Sequence, residues 1–403
     1  MDLYSGLPYW IIKNPLNNYF NPLAKDYTID VVIIGSGITG SLVAHELCEA
    51  GIKCAIIDKR TLSTGSSAAS TALLQYEIDV PLCEMVNMME ERLAVKAYEA
   101  CLQSISDFED VFKKVGYNPS FKNVSSIYYA TDRKGLRMLK NEYEIRKKHK
   151  LPVTFLDNIH LSKKYKIDVM GALTNDRSAQ TDTYLASSCL INHHIDKNEL
   201  DVFSHTTIKK WKEEQDGYIL ETEEGCKIRC KHVIVAAGFE AGEFLPEKIM
   251  KLTSTYAIIS QPVDKKYIWE ERSLMWEARD PYLYLRTTDD NRIIIGGEDV
   301  EFHNPVARDK LLRGKVKILE KKFKKLMPHI PFVTDMAWCG TFRSTGDGLP
   351  FIGSWQGNDR MLYALGYGGN GITFSMIAAQ MLRNRLKGVK DDREEVFSFS
   401  RLK

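Results

Sequence analysis

The sequence predicts an α/β fold, α+β in its second layer, in which a helix-covered parallel sheet carries an inserted antiparallel sheet. Three observations carry this expectation. Ile29-Asp30-Val31-Val32-Ile33-Ile34 is a short, nearly continuous β-branched run, as a strand covered on both faces requires. Leu42, Val43, Leu47 and Ala50 then fall at helical spacing up to Gly51, and Cys54-Ala55-Ile56-Ile57 follows as a second strand, making a β-α-β unit. From Val202 to Val300 the pattern changes to many short strands separated by turns.

The elements between these landmarks follow in order. A helical pattern runs from Val86 to Val115 with Leu93, Ala97, Ala100 and Ile105 inward, and Ser126–Ala130 is a strand. Arg133–Lys150 carries eight basic and two acidic residues and Lys310–Lys325 eight and one, so both read as solvated helix faces, with an acidic or lipid partner as the alternative. Tyr218–Glu221, His232–Gly238, Tyr256–Ile259, Tyr282–Leu285 and Arg292–Gly297 are strands, the last two joined through a hairpin turn at Asp289-Asp290-Asn291. Met361–Leu382 has no charged residue, but its glycines make a glycine loop and buried helix the better reading than a membrane span, so no integral membrane segment is expected.

Composition excludes several classes. Lys plus Arg number 55 and Asp plus Glu 53, a net charge of +2, which argues against attraction of the whole chain to nucleic acid. Eight cysteines without a C-x-x-C pair suit a reduced, cytoplasmic protein, and Cys226 and Cys230 read as packing. Met1–Tyr27 has three prolines and no apolar core, unlike a signal peptide. No metal-ligand set is expected, and His193 and His194 read as ordinary histidines.

The chemistry begins at Gly35-Ser36-Gly37-Ile38-Thr39-Gly40, a G-x-G-x-x-G that follows a strand and opens a helix. Gly35 permits the tight turn, Gly37 lets backbone N–H groups approach a pyrophosphate, and Gly40 allows close helix–strand packing. The helix N-terminus adds partial positive charge. Asp58, 23 positions after Gly35 and followed by Lys59 and Arg60, stands where a carboxylate accepts the ribose hydroxyls. A dinucleotide is therefore expected. Val233–Val235 with Ala236, Ala237 and Gly238 places small residues at another strand end. Far downstream, Gly366-Tyr367-Gly368-Gly369-Asn370-Gly371-Ile372-Thr373 has four glycines in six positions before an apolar helix, a second loop suited to presenting backbone amides to negative charge.

Together with Gly65-Ser66-Ser67-Ala68-Ala69-Ser70-Thr71-Ala72 and Trp338-Cys339-Gly340…Asp347-Gly348-Leu349-Pro350-Phe351-Ile352-Gly353, these motifs resemble the D-amino acid oxidase, glycine oxidase and sarcosine oxidase superfamily. The arm Gly6-Leu7-Pro8-Tyr9-Trp10 resembles its γ-glutamylputrescine oxidase-like branch. The resemblance implies a Rossmann-like FAD-binding domain (1–120, 171–250 and 337–403) with an inserted antiparallel-sheet substrate domain (121–170 and 251–336). It implies non-covalent FAD held by Gly35–Gly40, Asp58, Lys59, Arg60, Gly65–Ala68, Thr71, Ala72, Ala237, Gly238 and Gly368–Thr373. The implied reaction oxidises a C–N bond of an amine or amino acid by hydride transfer to flavin N5, with hydrolysis of the imine and reoxidation by O2 or another acceptor.

Two departures bear on the substrate. Family members place carboxylate-binding arginines where this chain has Phe342 and Gly369; Arg343 stands one position after Phe342 and is a substrate-facing candidate for that role if the loop shifts by a residue. Cys339 is one position out of register for covalent flavin attachment. On the inserted sheet, Tyr282, Tyr284 and Arg286 alternate with Leu283 and Leu285, so all three share a face and are substrate-facing candidates. Gln75, Tyr76 and Glu77 are further candidates. The alternatives are a redox-silent FAD-binding scaffold and an NAD(P)-linked dehydrogenase.

Overall fold

Val31–Ile34 and Cys54–Ile57 are wholly buried and pair in parallel, with Val31 opposite Cys54 and Ile34 opposite Ile57. They lie inside a six-stranded sheet, ordered 351–354, 361–365, 232–235, 31–34, 54–57, 200–203, in a computed structural model that describes residues 4–16, 19–245 and 247–402. All neighbours in this sheet are parallel except 351–354 on 361–365. Burial on both faces explains the unbroken apolar runs. Helix Ile38–Glu49 packs between helix Gly371–Leu386 and helix Thr183–Asp196, which is why eleven of its residues are buried and it shows no polar face.

The second layer is a ten-stranded sheet ordered 4–6, 334–344, 251–260, 293–301, 283–287, 274–277, 122–130, 171–180, 73–74, with 154–157 also pairing on 171–180. It is antiparallel except where Leu274–Glu277 runs parallel to Lys122–Ala130. Leu283, Leu285, Ile293 and Ile295 turn to one side and pack with Leu319 and Phe323 of helix Pro305–Leu326. Tyr284 and Arg286 consequently face the opposite side, toward the six-stranded sheet. The expected α/β architecture with an inserted, largely antiparallel sheet is present. Sheet membership crosses the expected domain boundaries: 171–180 and 337–344 hydrogen-bond in the larger sheet. Strands 208–214, 217–222, 227–230 and 27–28 form a third, smaller sheet.

Two local departures have simple causes. The helix expected from Val86 begins at Glu91, because Glu90 is extended and its carbonyl starts the helical hydrogen bonds to Leu93 and Ala94. The proline-bearing N-terminal arm is built into the fold: Tyr4–Gly6 pairs with 338–340, and Trp10 is buried with its indole N–H donating to the Ser70 carbonyl at 2.6 Å. Among the described residues, no helix is long and apolar enough to cross a membrane.

Candidate active site

A deep cleft opens at the carboxyl ends of strands 31–34, 54–57 and 232–235, where ligands of open α/β sheets bind. Its first end is the glycine turn. Gly35 has φ +107°, and a Cβ there would stand 2.5 Å from the Ala236 carbonyl oxygen. A Cβ on Gly40 would stand 1.9 Å from the Gly35 oxygen, so Gly40 packs the helix onto the turn and does not itself line the cleft. Gly37 does line it, and a Cβ there would meet only the Ser67 hydroxyl, at 2.9 Å. That hydroxyl accepts the Ile38 N–H at 2.8 Å and joins the 65–72 loop to the helix N-terminus. Ser36, Ile38, Thr39, Gly65, Ser66, Ser67, Thr71 and Ala72 line the cleft, whereas Ala68 is turned into the core.

At the adjacent strand end, Asp58 accepts from the Ser36 N–H (2.8 Å), the Ser36 hydroxyl (2.5 Å) and the Arg60 N–H (2.8 Å). Burial raises its pKa against these bonds. Lys59 and Arg60 both grip Glu240, at 2.6 and 2.9 Å. Burial pushes the Glu240 carboxyl up, but the two cations outweigh it and hold the group below its ordinary value. Asp58, Lys59, Arg60, Ala237, Gly238 and Glu240 all line this end.

The downstream glycine loop forms the other end of the same cleft. Gly368–Ile372 line it, while Thr373 is directed inward and donates to the Asn370 carbonyl. Gly368, at φ +54°, donates its N–H to the Arg343 carbonyl at 2.9 Å. Helices Ile38–Glu49 and Gly371–Leu386 start side by side, tied by the Thr39 and Ser375 hydroxyls at 2.8 Å. Two glycine turns more than 300 residues apart thus share one cavity.

The ten-stranded sheet covers this cavity with Tyr282, Tyr284, Trp276, Thr255 and Gly340–Arg343. Tyr284 lies across Gly296 of the neighbouring strand, where a Cβ would come within 2.2 Å of its ring. Trp276 stacks on Tyr128 at 3.6 Å.

Arg286 corrects the sequence expectation. It shares the face of Tyr284 but lies behind the 65–72 loop, where Nη1 donates to the carbonyls of Thr71 (3.1 Å), Ala72 (2.8 Å) and Thr181 (2.9 Å). It is 2% exposed, sits over the Trp10 ring, and is pushed down to about 10 by burial. It is a clamp on the loop and does not line the cleft. Arg343 lines the cleft, but its Nε donates to the Phe239 carbonyl and its guanidinium lies against Gly242. Tyr76 is also turned away, donating to the Pro152 carbonyl. Cys339 points from the cleft toward Ser5 and Asp309, and no cysteine lines the cavity among the described residues.

Several lining residues escaped the sequence reading. Asp79 accepts the Gly369 N–H at 2.6 Å. Its signal was the every-other-residue spacing of Gln75, Glu77 and Asp79 just after strand 73–74, three polar residues that all line the cleft. Trp276 and Glu240 carried no comparable signal. Away from the cleft, His45, Glu49 and His194 bring ligand-type atoms within 4.8 Å of one another. The imidazoles hydrogen-bond to each other at 2.9 Å and His194 to Glu199 at 2.7 Å, which occupies these ring nitrogens. Burial holds His45 down at about 3.

This two-ended cleft agrees with the comparisons. The model of the FAD dependent oxidoreductase (DAO) family matches residues 30–385. The chain belongs to that family. It is 22% identical to glycine oxidase of Bacillus licheniformis, over 92% of this chain and 97% of the relative. It is likewise 22% identical to the γ-glutamylputrescine oxidoreductase of Escherichia coli K12, over 95% and 88%. The glycine oxidase structure from Geobacillus kaustophilus superposes with a TM-score of 0.76 at 18% identity, covering 92% of this chain and 98% of that one. The protein is an FAD-dependent oxidoreductase, and the NAD(P)-linked alternative is not favoured. Oxidation of an amine or amino acid is the activity its family and relatives support.

Proposed function

We propose that the cleft holds FAD extended from the Gly35 turn to the Gly368 turn, and that the roof of the cleft presents an amine for oxidation at a C–N bond. The observation that carries this is the single cavity shared by both glycine loops. The residues fit the cofactor. The Gly37 cradle is a space a Cβ would fill, the helix starting at Ile38 offers partial positive charge to a pyrophosphate, and Asp58 with Lys59 and Arg60 marks the ribose end. FAD held without a covalent bond fits a lining that carries no thiol among the described residues.

Bound FAD supplies a two-electron acceptor. The protein orients the substrate and keeps bulk water from it, using Tyr282, Tyr284 and Trp276 as an aromatic wall. The N-terminus of helix Gly371–Leu386 favours negative charge at this end of the cleft. The substrate loses a hydride from carbon and a proton from nitrogen, and water hydrolyses the C=N product to a carbonyl compound and ammonia, or an amine where the substrate nitrogen carries a second carbon. The two electrons pass on to O2, giving hydrogen peroxide. Eight unpaired cysteines support a cytoplasmic setting, and the near-balanced charge supports a small-molecule partner without nucleic acid.

Anaerobic addition of a panel of amines and amino acids to the purified yellow protein tests this. Loss of the flavin absorption band with at least one of them is expected. A band that no amine bleaches but dithionite does would replace the enzyme with a redox-silent scaffold.

A further inference from the structure

The charged groups of the cleft are divided between its ends. Among the described residues, the cations on its lining are Lys59, Arg60 and Arg343: the first two are paired with Glu240, and the third is bound to the Phe239 carbonyl. Under the tyrosine roof the charges are carboxylates. Asp79 stands against Gly368 and Gly369, so close that a Cβ on Gly369 would come within 2.6 Å of its Oδ1. Glu77 lines the cleft with a side chain only 1% exposed; its Oε1 pairs with Arg146 at 3.2 Å, which also pairs with Glu142 at 2.7 Å and so leaves one of the two carboxylates in excess, and its Oε2 is buried without a hydrogen-bond partner. Asp299 lies behind the roof. It accepts a hydrogen bond from Thr255, which also bonds Tyr284, and its Oδ1 is buried without a partner.

A bulge positions Asp299. The pairing of 251–260 with 293–301 slips between Ser254 and Tyr256, and Gly297 and Glu298 both take positive φ, so Asp299 is brought behind Thr255. Burial, then the charges of Asp79 and Asp280, push its pKa up to about 7. Asp79 and Glu77 on the lining, with Asp299 behind Thr255, gather buried carboxylate at this end of the cleft, which is costly unless a cation satisfies it.

We propose that the substrate is an amine carrying a second cationic centre, a diamine or polyamine, whose distal ammonium is received by Asp79 on the cleft lining beside Glu77, with Asp299 behind the roof as a further carboxylate. Tyr282, Tyr284 and Trp276 line its alkyl chain and offer aromatic faces to the charge. This rests on the amine-oxidation reading above and names its substrate class. It also accounts for a glycine at position 369, since any side chain there would displace the Asp79 carboxylate.

The test compares three probes on the holoenzyme: an α,ω-diaminoalkane of four or five carbons, the monoalkylamine of equal length, and a zwitterionic amino acid. The diamine is expected to reduce the flavin with a kcat/KM roughly tenfold or more above the monoamine, one charge-assisted contact being of that order. Asp79→Asn, which keeps an acceptor for Gly369, should cost the diamine roughly ten- to a hundredfold more than it costs the monoamine, through KM, and Asp299→Asn, acting from behind the roof, a smaller part of that difference. Should a variant fail to fold, ionic strength gives an independent reading: KM for the diamine rises with salt and that for the monoamine does not. Oxidation of the monoamine or amino acid as efficient as that of the diamine overturns this inference and leaves amine oxidation standing. Reduction by none of the three, nor by any other amine, removes the amine-oxidation reading and this inference with it.

Discussion

Gly37→Ala separates the cofactor cradle from the fold. At φ −65° and ψ −175° the backbone of Gly37 is one that alanine adopts without strain. The new Cβ would meet only the Ser67 hydroxyl, at 2.9 Å, and a hydroxyl can rotate away. Its rotation breaks the 2.8 Å hydrogen bond from the Ile38 N–H, worth about 1 kcal/mol. The stiffer unfolded chain returns about 0.4–1 kcal/mol. The FAD-free protein should therefore melt within a few degrees of the parent. The cofactor loses more, because the methyl occupies the space through which backbone donors reach the pyrophosphate. Two charge-assisted hydrogen bonds at about 1.5–3 kcal/mol each amount to roughly a hundred- to ten-thousandfold weaker FAD binding. Titration of the deflavinated protein with FAD, followed by flavin fluorescence, reads this beside a thermal melt. Parental FAD affinity in Gly37→Ala would refute the cradle.

Other substitutions probe neighbouring features. Gly40→Ala should behave oppositely, since its Cβ would fall 1.9 Å from a backbone oxygen; overpacking of this kind costs about 1–3 kcal/mol or more, read as a lowered melting temperature even without FAD. Sequence reasoning predicts that Asp58→Ala weakens FAD retention without unfolding the protein, but the structure adds that it strands the Ser36 and Arg60 N–H groups, about 1–3 kcal/mol each, so a lowered melt should accompany the weaker binding. Arg286→Met should release the Thr71–Ala72 carbonyls and speed limited proteolysis within 65–72; unchanged cleavage would contradict the clamp. Asp299 holds a proton in the folded state up to about pH 7, whereas in the unfolded chain it ionises near 3.8, so its contribution to stability falls as pH rises through that window. Asp299→Asn should accordingly raise the melting temperature more at about pH 8 than at about pH 5, and an equal rise at both would contradict the shift.

The features legible in the sequence were local and repetitive. Strand 31–34, the glycine turn and helix 38–49 follow from chain-neighbour chemistry, and the structure keeps their boundaries to within a residue or two. The downstream glycine loop was legible because four glycines in six positions are costly without a reason. What failed depended on long-range contacts. Alternation placed Arg286 on the correct face, but only the fold shows that the 65–72 loop and Trp10 stand in front of it. Asp79 and Asp299 come from segments more than 200 residues apart, and neither sits in a motif. The N-terminal arm joins the ten-stranded sheet through pairing with residues 338–340, more than 300 positions away, which no local pattern encodes.

Hydrogen exchange of the deflavinated protein, with and without added FAD, tests most directly whether one cofactor bridges the cleft. Peptides covering 35–40 and 366–372 should both gain protection at a single FAD per chain. Protection confined to 35–40, with 366–372 exchanging as before, would contradict the account.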